Sequence, residues 1–88
     1  MASVKDLLMN SLMDLVKDDL ERFQWHLKND KHISNSEMEN ANILKTVDKM
    51  VACFGPEEAV KITVEILRKM NQNELAKQLE NKHKQGNI

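Results

Sequence analysis

Apolar residues recur at three- and four-residue intervals along most of this chain, and few turn residues interrupt them. That spacing places the apolar side chains on one face of an α-helix. Only two glycines and one proline occur in 88 residues, and most charged residues are strong helix formers. The pattern therefore predicts an all-α fold. The length suits one domain with a modest, mainly aliphatic core, because only three residues are aromatic.

Turn signals divide the chain into short helices. Leu8 and Leu12 lie on the apolar face of a first helix, and a second helix is expected from about Lys17 to Lys28. Gly55 and Pro56 end one helix and start the next, since glycine favours the position after a helix and proline its first turn. Five or six helices of this length are compatible with a compact antiparallel bundle.

Polar stretches set the other boundaries. Residues 29–37 have no clear period and are interpreted as a loop, with room for a short helical turn at residues 37–40. A helix is expected from about Asn42, with an apolar face formed by Ile43, Leu44, Val47, Met50, Val51 and Phe54. The helix after Pro56 is apolar around much of its circumference and should be central. Asn73 is a candidate cap for a last short helix, which a polar tail follows from residue 81.

Composition argues against several classes of function. The formal net charge is −1, so a strongly basic field for nucleic acid or anionic membrane is absent. The single cysteine, Cys53, excludes an internal disulfide and suits a reducing compartment. No apolar run approaches the length that spans a bilayer. We expect a soluble, cytoplasmic domain that binds neither nucleic acid nor membrane.

The residues that carry enzyme chemistry are scattered. His26, His32 and His83 show no zinc-ligand spacing with each other or with Cys53, and no glycine-rich phosphate loop is present. A thiol and base pair between Cys53 and His26 or His32 has no local support. We therefore expect no enzymatic activity, no cofactor, no metal and no small-molecule substrate.

The surface is more informative. In the stretch LERFQWHL, Leu20, Phe23 and Leu27 share one helical face, whereas Trp25 points elsewhere. Trp25 is either covered by another segment or, with Arg22 three residues before it, part of a binding hot spot. Met13 lies opposite the leucine face of the first helix and is a second candidate for contact.

Charged residues suggest two further regions. One contains the residues Glu21, Arg22, His26, Lys28 and Lys31, and the candidates for an acidic one are Asp6, Asp14, Glu37, Glu39 and Asp48. Such charges are commonly solvated faces. Two opposite patches on different sides of a small domain would nevertheless form a heterologous pair that can propagate head to tail.

Two stretches of the chain resemble a known family. DLLMNSLMDLVKDDLERFQWHL resembles the opening of a pyrin domain, with a leucine-rich first helix, a short break and an acid-Leu-x-x-Phe-x-x-x-Leu second helix. MVACFGPEEAVKITVEILRKMNQNELAKQLE resembles the second half of the same domain. The two halves stand in the family's order and spacing.

The resemblance implies a compact antiparallel six-helix bundle of death-fold type, with a short or irregular third helix. It implies a domain over residues 1–82 and a flexible tail or linker over 83–88. It also implies a homotypic interaction module of inflammasome signalling, at the N-terminus of a NOD-like receptor or related protein. Such a module recruits a pyrin-containing adaptor, or itself, for caspase activation.

The family's main contact pairs acidic residues of the first and fourth of its six helices with basic residues of the second and third. Asp6 keeps an acidic position and Arg22 a basic one, whereas Asn10, Met13 and Glu21 depart from the common charges. His26 and Asn35 likewise replace frequent cations. The interaction residues expected here are Asp6, Met13, Arg22, Trp25, His26, Lys28, Lys31, Glu39 and Asp48. Thin charge patches predict assembly that needs help, or a contact weighted towards Met13 and Trp25.

Two alternatives remain at this point. A small helical nucleic-acid-binding domain would share the fold class, although the near-neutral charge argues against it. A death-effector or caspase-recruitment type of adaptor domain would share the architecture and change only the partner.

Overall fold

A computed structural model describes residues 4–30, 33 and 42–86 of the chain. Their helices are α1 (Val4–Met13), α2 (Lys17–Asp30), α3 (Ile43–Phe54), α4 (Pro56–Lys69) and α5 (Asn73–Gly86). No strand occurs in these ranges, which confirms the predicted all-α class. The described ranges contain five helices rather than six, and the short helix expected near residues 37–40 lies outside them.

Helix α4 lies at the centre of the bundle, as its wide apolar face predicts. It packs against each of the other four helices. Seven of its 14 residues are buried, including Ile66 and Leu67, which are completely inaccessible to solvent. Because several neighbours cover α4, most of its circumference must be apolar.

The turns that join α3, α4 and α5 follow from local chemistry. The side chain of Asn42 accepts a hydrogen bond of 2.8 Å from the backbone N–H of Lys45 and caps α3, which begins at Ile43, close to the expected start. Gly55 has φ +86° and lies directly before Pro56, the first residue of α4. Asn71, with φ +65°, ends α4 in a Schellman turn, in which the N–H of Gln72 donates to the carbonyl of Leu67.

Three boundary predictions need correction. Helix α5 begins at Asn73, so Gln72 and not Asn73 holds the cap position, and its carbonyl accepts from the N–H of Ala76. Helix α2 begins at Lys17, as predicted, but it ends at Asp30, two residues beyond the expected end at Lys28. Helix α5 also continues past residue 81 to Gly86, since His83 still contacts Glu57 of α4 at 3.0 Å. The division between residues 82 and 83 remains a prediction.

The core matches the predicted apolar faces, with one exception on α3. Val47 and Met50 are fully buried, but Leu44 is 51% exposed. The polar Thr46 is fully buried instead, because α2 approaches that side of the helix and Gln24 bonds to its hydroxyl. The buried face of α3 is therefore rotated towards Thr46 and away from Leu44.

Candidate interaction surface

The orientation of α2 determines which of its side chains reach solvent. Phe23 and Leu27 are fully buried, and Gln24 donates a hydrogen bond of 3.0 Å to Thr46 on α3. These three anchors fix the rotation of α2 about its own axis. Trp25 consequently points away from the core and is 55% exposed. The described structure thus places Trp25 on the surface, as the helical register predicts.

Arg22, Trp25, His26 and Lys28 form what we name the α2 surface. Arg22 is exposed, whereas His26 and Lys28 are half-buried. The rings of Trp25 and His26 meet edge to face, with centroids 5.1 Å apart and an angle of 84°. This contact covers part of the indole and leaves a large part of it open to solvent. The α2 surface therefore presents one held aromatic ring beside cationic side chains.

An ionic network supports the C-terminal end of the α2 surface. Asp30 accepts from Nζ of Lys69 on α4 at 3.0 Å and lies 3.1 Å from Nδ1 of His26. The hydrogen bond from Lys69, followed by that from His26, lowers the pKa of the Asp30 carboxyl. The hydrogen bond to Asp30 in turn raises the pKa of Lys69. The network joins α2 to α4 and holds His26 beside Trp25.

Asp6 and Asp48 form what we name the acidic surface. Asp6 is exposed in the first turn of α1, and Asp48 is exposed on α3. Lys5 of α1 lies 3.1 Å from Asp48, and both side chains are about half exposed. This ion pair holds α1 and α3 together at the surface and offsets part of the charge of Asp48. The acidic surface is therefore weaker than its two carboxylates suggest.

Met13 belongs to neither of the surfaces named so far. It ends α1 and is 63% exposed, and Val16 in the following turn is 65% exposed. The predicted exposure of Met13 is confirmed, and its role in contact remains a prediction. Lys31 and Glu39, also expected to take part in contact, lie outside the described residues.

Sequence reasoning missed the residues that connect helices. Lys5, Asp30 and Lys69 were not expected at the site, because their partners are distant in the chain. No local spacing signals such pairs. Leu44 was predicted to be buried, because the helical periodicity places it on the apolar face of α3, but it is exposed.

Residue types that could support other chemistry do not gather in one cluster in the described ranges. In the described ranges, no cluster of three or more His, Cys, Asp or Glu residues could hold a metal ion. Cys53 is exposed. The helices of these same ranges are all too short or too polar to cross a lipid bilayer.

Comparison with known proteins decides the family. The profile of the PAAD/DAPIN/Pyrin domain matches residues 7–77. The chain belongs to the pyrin-domain family. The solved structure of the pyrin domain of human Pyrin superposes with a TM-score of 0.84 and 32% identity, covering 94% of this chain and 99% of that domain. The death-fold class expected from the resemblance is thus confirmed, with five helices in the described ranges where six were expected.

Longer proteins contain regions similar to this pyrin domain. Pyrin of Homo sapiens is 34% identical over 80 residues, which cover 84% of this chain and 10% of Pyrin. Caspase b of Danio rerio is 38% identical over 85 residues, which cover 91% of this chain and 21% of the caspase. The chain therefore spans about a tenth to a fifth of these relatives. Family membership confirms the predicted class of function, a homotypic protein–protein interaction module.

Proposed function

We propose that this pyrin domain recruits a second pyrin domain, on an adaptor or on another copy, by pairing its α2 surface with an acidic surface like its own. The exposure of Trp25 carries the proposal. A tryptophan that is 55% exposed buries a large apolar area only when a partner covers it. Arg22, also exposed and one turn before it, supplies the charge that hot spots favour.

The acidic surface supplies the complementary half of the contact. Asp6 and Asp48 lie on α1 and α3, whereas Trp25 lies on α2. Two different patches that meet give a heterologous contact, which can add copies without limit unless it closes into a ring. In the cytoplasm, such growth would concentrate an adaptor and through it a caspase. Because Lys5 offsets Asp48, self-association should be weaker than recruitment of a partner with a stronger acidic patch.

Sedimentation of the domain with a pyrin-type adaptor domain tests this proposal. Wild type, Trp25→Ala and Arg22→Glu are compared with Lys77→Glu, which changes an exposed charge on α5. We expect wild type and Lys77→Glu to co-assemble, and the two α2 variants to remain folded but bind at least about tenfold more weakly. Co-assembly that survives both α2 substitutions would overturn the proposed surface, and no co-assembly by wild type with any pyrin domain would overturn the function.

A DNA arm of the same experiment addresses the alternative function. The domain is mixed with a DNA duplex at about 150 mM salt, where non-specific electrostatic binding weakens steeply. We expect no shift in sedimentation. A salt-dependent shift that persists in Trp25→Ala would favour nucleic-acid binding instead.

A further inference from the structure

A groove of about 630 Å³ lies between α4 and α5, and its lining includes none of the residues of the α2 surface or the acidic surface. Val60 and Val64 form its apolar floor. Its rim is cationic, with four lysine and arginine side chains against two glutamates. A site of this composition favours an acidic segment that also carries small apolar side chains.

Two contacts between helices lie beside the groove. Arg68 lies 3.6 Å from Glu80, and His83 lies 3.0 Å from Glu57. The groove is lined from Val60 to Lys69 on α4, about 14 Å along that helix, and from Glu80 to Lys84 on α5, about 6 Å. The groove is therefore long enough for a short turn.

Two of the cations that line the groove have no carboxylate partner among the described residues. In residues 4–30, 33 and 42–86, no ion pair includes Lys61 or Lys84, whereas Arg68 and Lys69 both have carboxylate partners. Lys61 is exposed on α4, and Lys84 is exposed on α5. Both lysines can form ion pairs with carboxylates of another molecule without breaking an existing ion pair.

A complementary segment occurs on this same chain. Residues 13–18 form what we name the α1–α2 corner, where Met13 is 63% and Val16 65% exposed. Asp14 and Asp18 are exposed beside them, and neither joins an ion pair within the described part of the chain. Leu15 packs against the core, so its neighbours on both sides face outwards. The corner thus combines apolar and acidic side chains on a short turn.

We propose that the α1–α2 corner of one copy docks into the α4–α5 groove of a second copy. Asp14 and Asp18 would approach Lys61 and Lys84, and Met13 and Val16 would cover the valine floor. The inference rests on the proposed homotypic assembly and adds a contact separate from the α2 surface. Because corner and groove are different patches, this contact is also heterologous, and two heterologous contacts can cross-link chains of subunits.

Charge reversal provides the test. The corner variant carries Asp14→Lys and Asp18→Lys, and the groove variant carries Lys61→Glu and Lys84→Glu. In each variant alone, the corner and the groove carry charges of the same sign, so we expect self-association about tenfold weaker than in wild type. In an equimolar mixture, each corner faces a groove of opposite sign, so association should return towards the wild-type level. Sedimentation velocity at low salt measures all three samples.

Further variants distinguish the loss of this contact from a change in folding and from the loss of the α2 contact. Met13→Ser with Val16→Ser alters exposed apolar side chains only and should also weaken self-association. Lys77→Glu is the matched charge control on α5, and circular dichroism checks that each variant is folded. Trp25→Ala separates this proposal from the previous one, because its loss of adaptor binding should leave the mixing rescue intact.

Several results would overturn the inference. If wild type stays monomeric up to about 1 mM, the corner and the groove do not bind each other and the inference fails. Reversed variants that associate like wild type, or a mixture that does not recover, would show that corner and groove do not meet. A groove variant that loses only adaptor binding would assign the groove to a different partner.

Discussion

The side-chain amide of Gln24 donates a hydrogen bond of 3.0 Å to the hydroxyl of Thr46 and joins α2 to α3. Thr46 is fully buried, and its hydroxyl donates in turn to the backbone carbonyl of Asn42 at 2.8 Å. The pair lies beside Phe23 and sets the rotation that turns Trp25 to solvent. One polar contact thus links the packing of the bundle to the presentation of its candidate hot spot.

Gln24→Ala should lower the free energy of unfolding by about 1 kcal/mol, because Thr46 loses a donor at a partly buried site. Urea denaturation measures the change. Gln78→Ala, an exposed substitution on α5, is the control and should stay within about 0.5 kcal/mol of wild type. Equal stability of Gln24→Ala and Gln78→Ala would show that the hydrogen bond contributes nothing net.

Gly55→Ala should destabilise the domain by about 1–3 kcal/mol, because Gly55 has φ +86° and ψ 159°, a region nearly restricted to glycine. A Cβ there would meet no atom within 4 Å, so the cost arises from the backbone alone. D-alanine adopts this conformation without strain and should match or exceed glycine in stability.

Chemical ligation at Cys53, two residues upstream, allows both proteins to be assembled from two peptides. Thermal unfolding of the L- and D-alanine proteins gives the comparison. If both substitutions destabilise equally, the cost comes from lost space rather than from the backbone conformation.

The features of this fold that can be predicted are those that depend only on residues close together in the chain. Gly55 before Pro56, and the repeating apolar residues of α4, determine boundaries and burial without reference to any distant residue. Leu44 shows the limit, since its exposure depends on where α2 lies against α3. The same limit applies to the site. The register of α2 predicts that Trp25 faces outwards, but the partners of Asp30 and Asp48 depend on tertiary packing.

Asp30 should make stability depend on acid pH. Hydrogen bonds from Lys69 and then His26 lower the pKa of its carboxyl in the folded state below 3.8. The unfolded state then binds more protons than the folded state between the two pKa values, so stability falls as pH drops through that interval. The stabilisation is fully present well above pH 4 and is lost once Asp30 is protonated in both states.

Asp30→Asn should therefore be less stable than wild type at about pH 6, with a difference that shrinks as the pH falls through and below the ordinary aspartate range. Thermal unfolding across this range measures it, and the effect should be small because the pair is exposed and screened by salt. The control Asp14→Asn removes an exposed carboxylate with no ion pair among the described residues. A constant difference between Asp30→Asn and wild type at every pH would contradict the assignment.

The ion pair between Lys5 and Asp48 makes opposite predictions for its two members. Lys5→Gln releases the carboxylate of Asp48 and should strengthen binding to a partner's basic surface, whereas Asp48→Asn should weaken it. An exposed pair is worth up to about 1 kcal/mol, so each change should lie within about fivefold in Kd. Titration of a labelled partner pyrin domain at low salt measures both, and the differences should fade at about 0.5 M salt.

The double variant should behave like Asp48→Asn alone, since Lys5 acts only by occupying that carboxylate. If Lys5→Gln weakens binding as much as Asp48→Asn does, Lys5 itself meets the partner and the acidic surface must be redefined to include it.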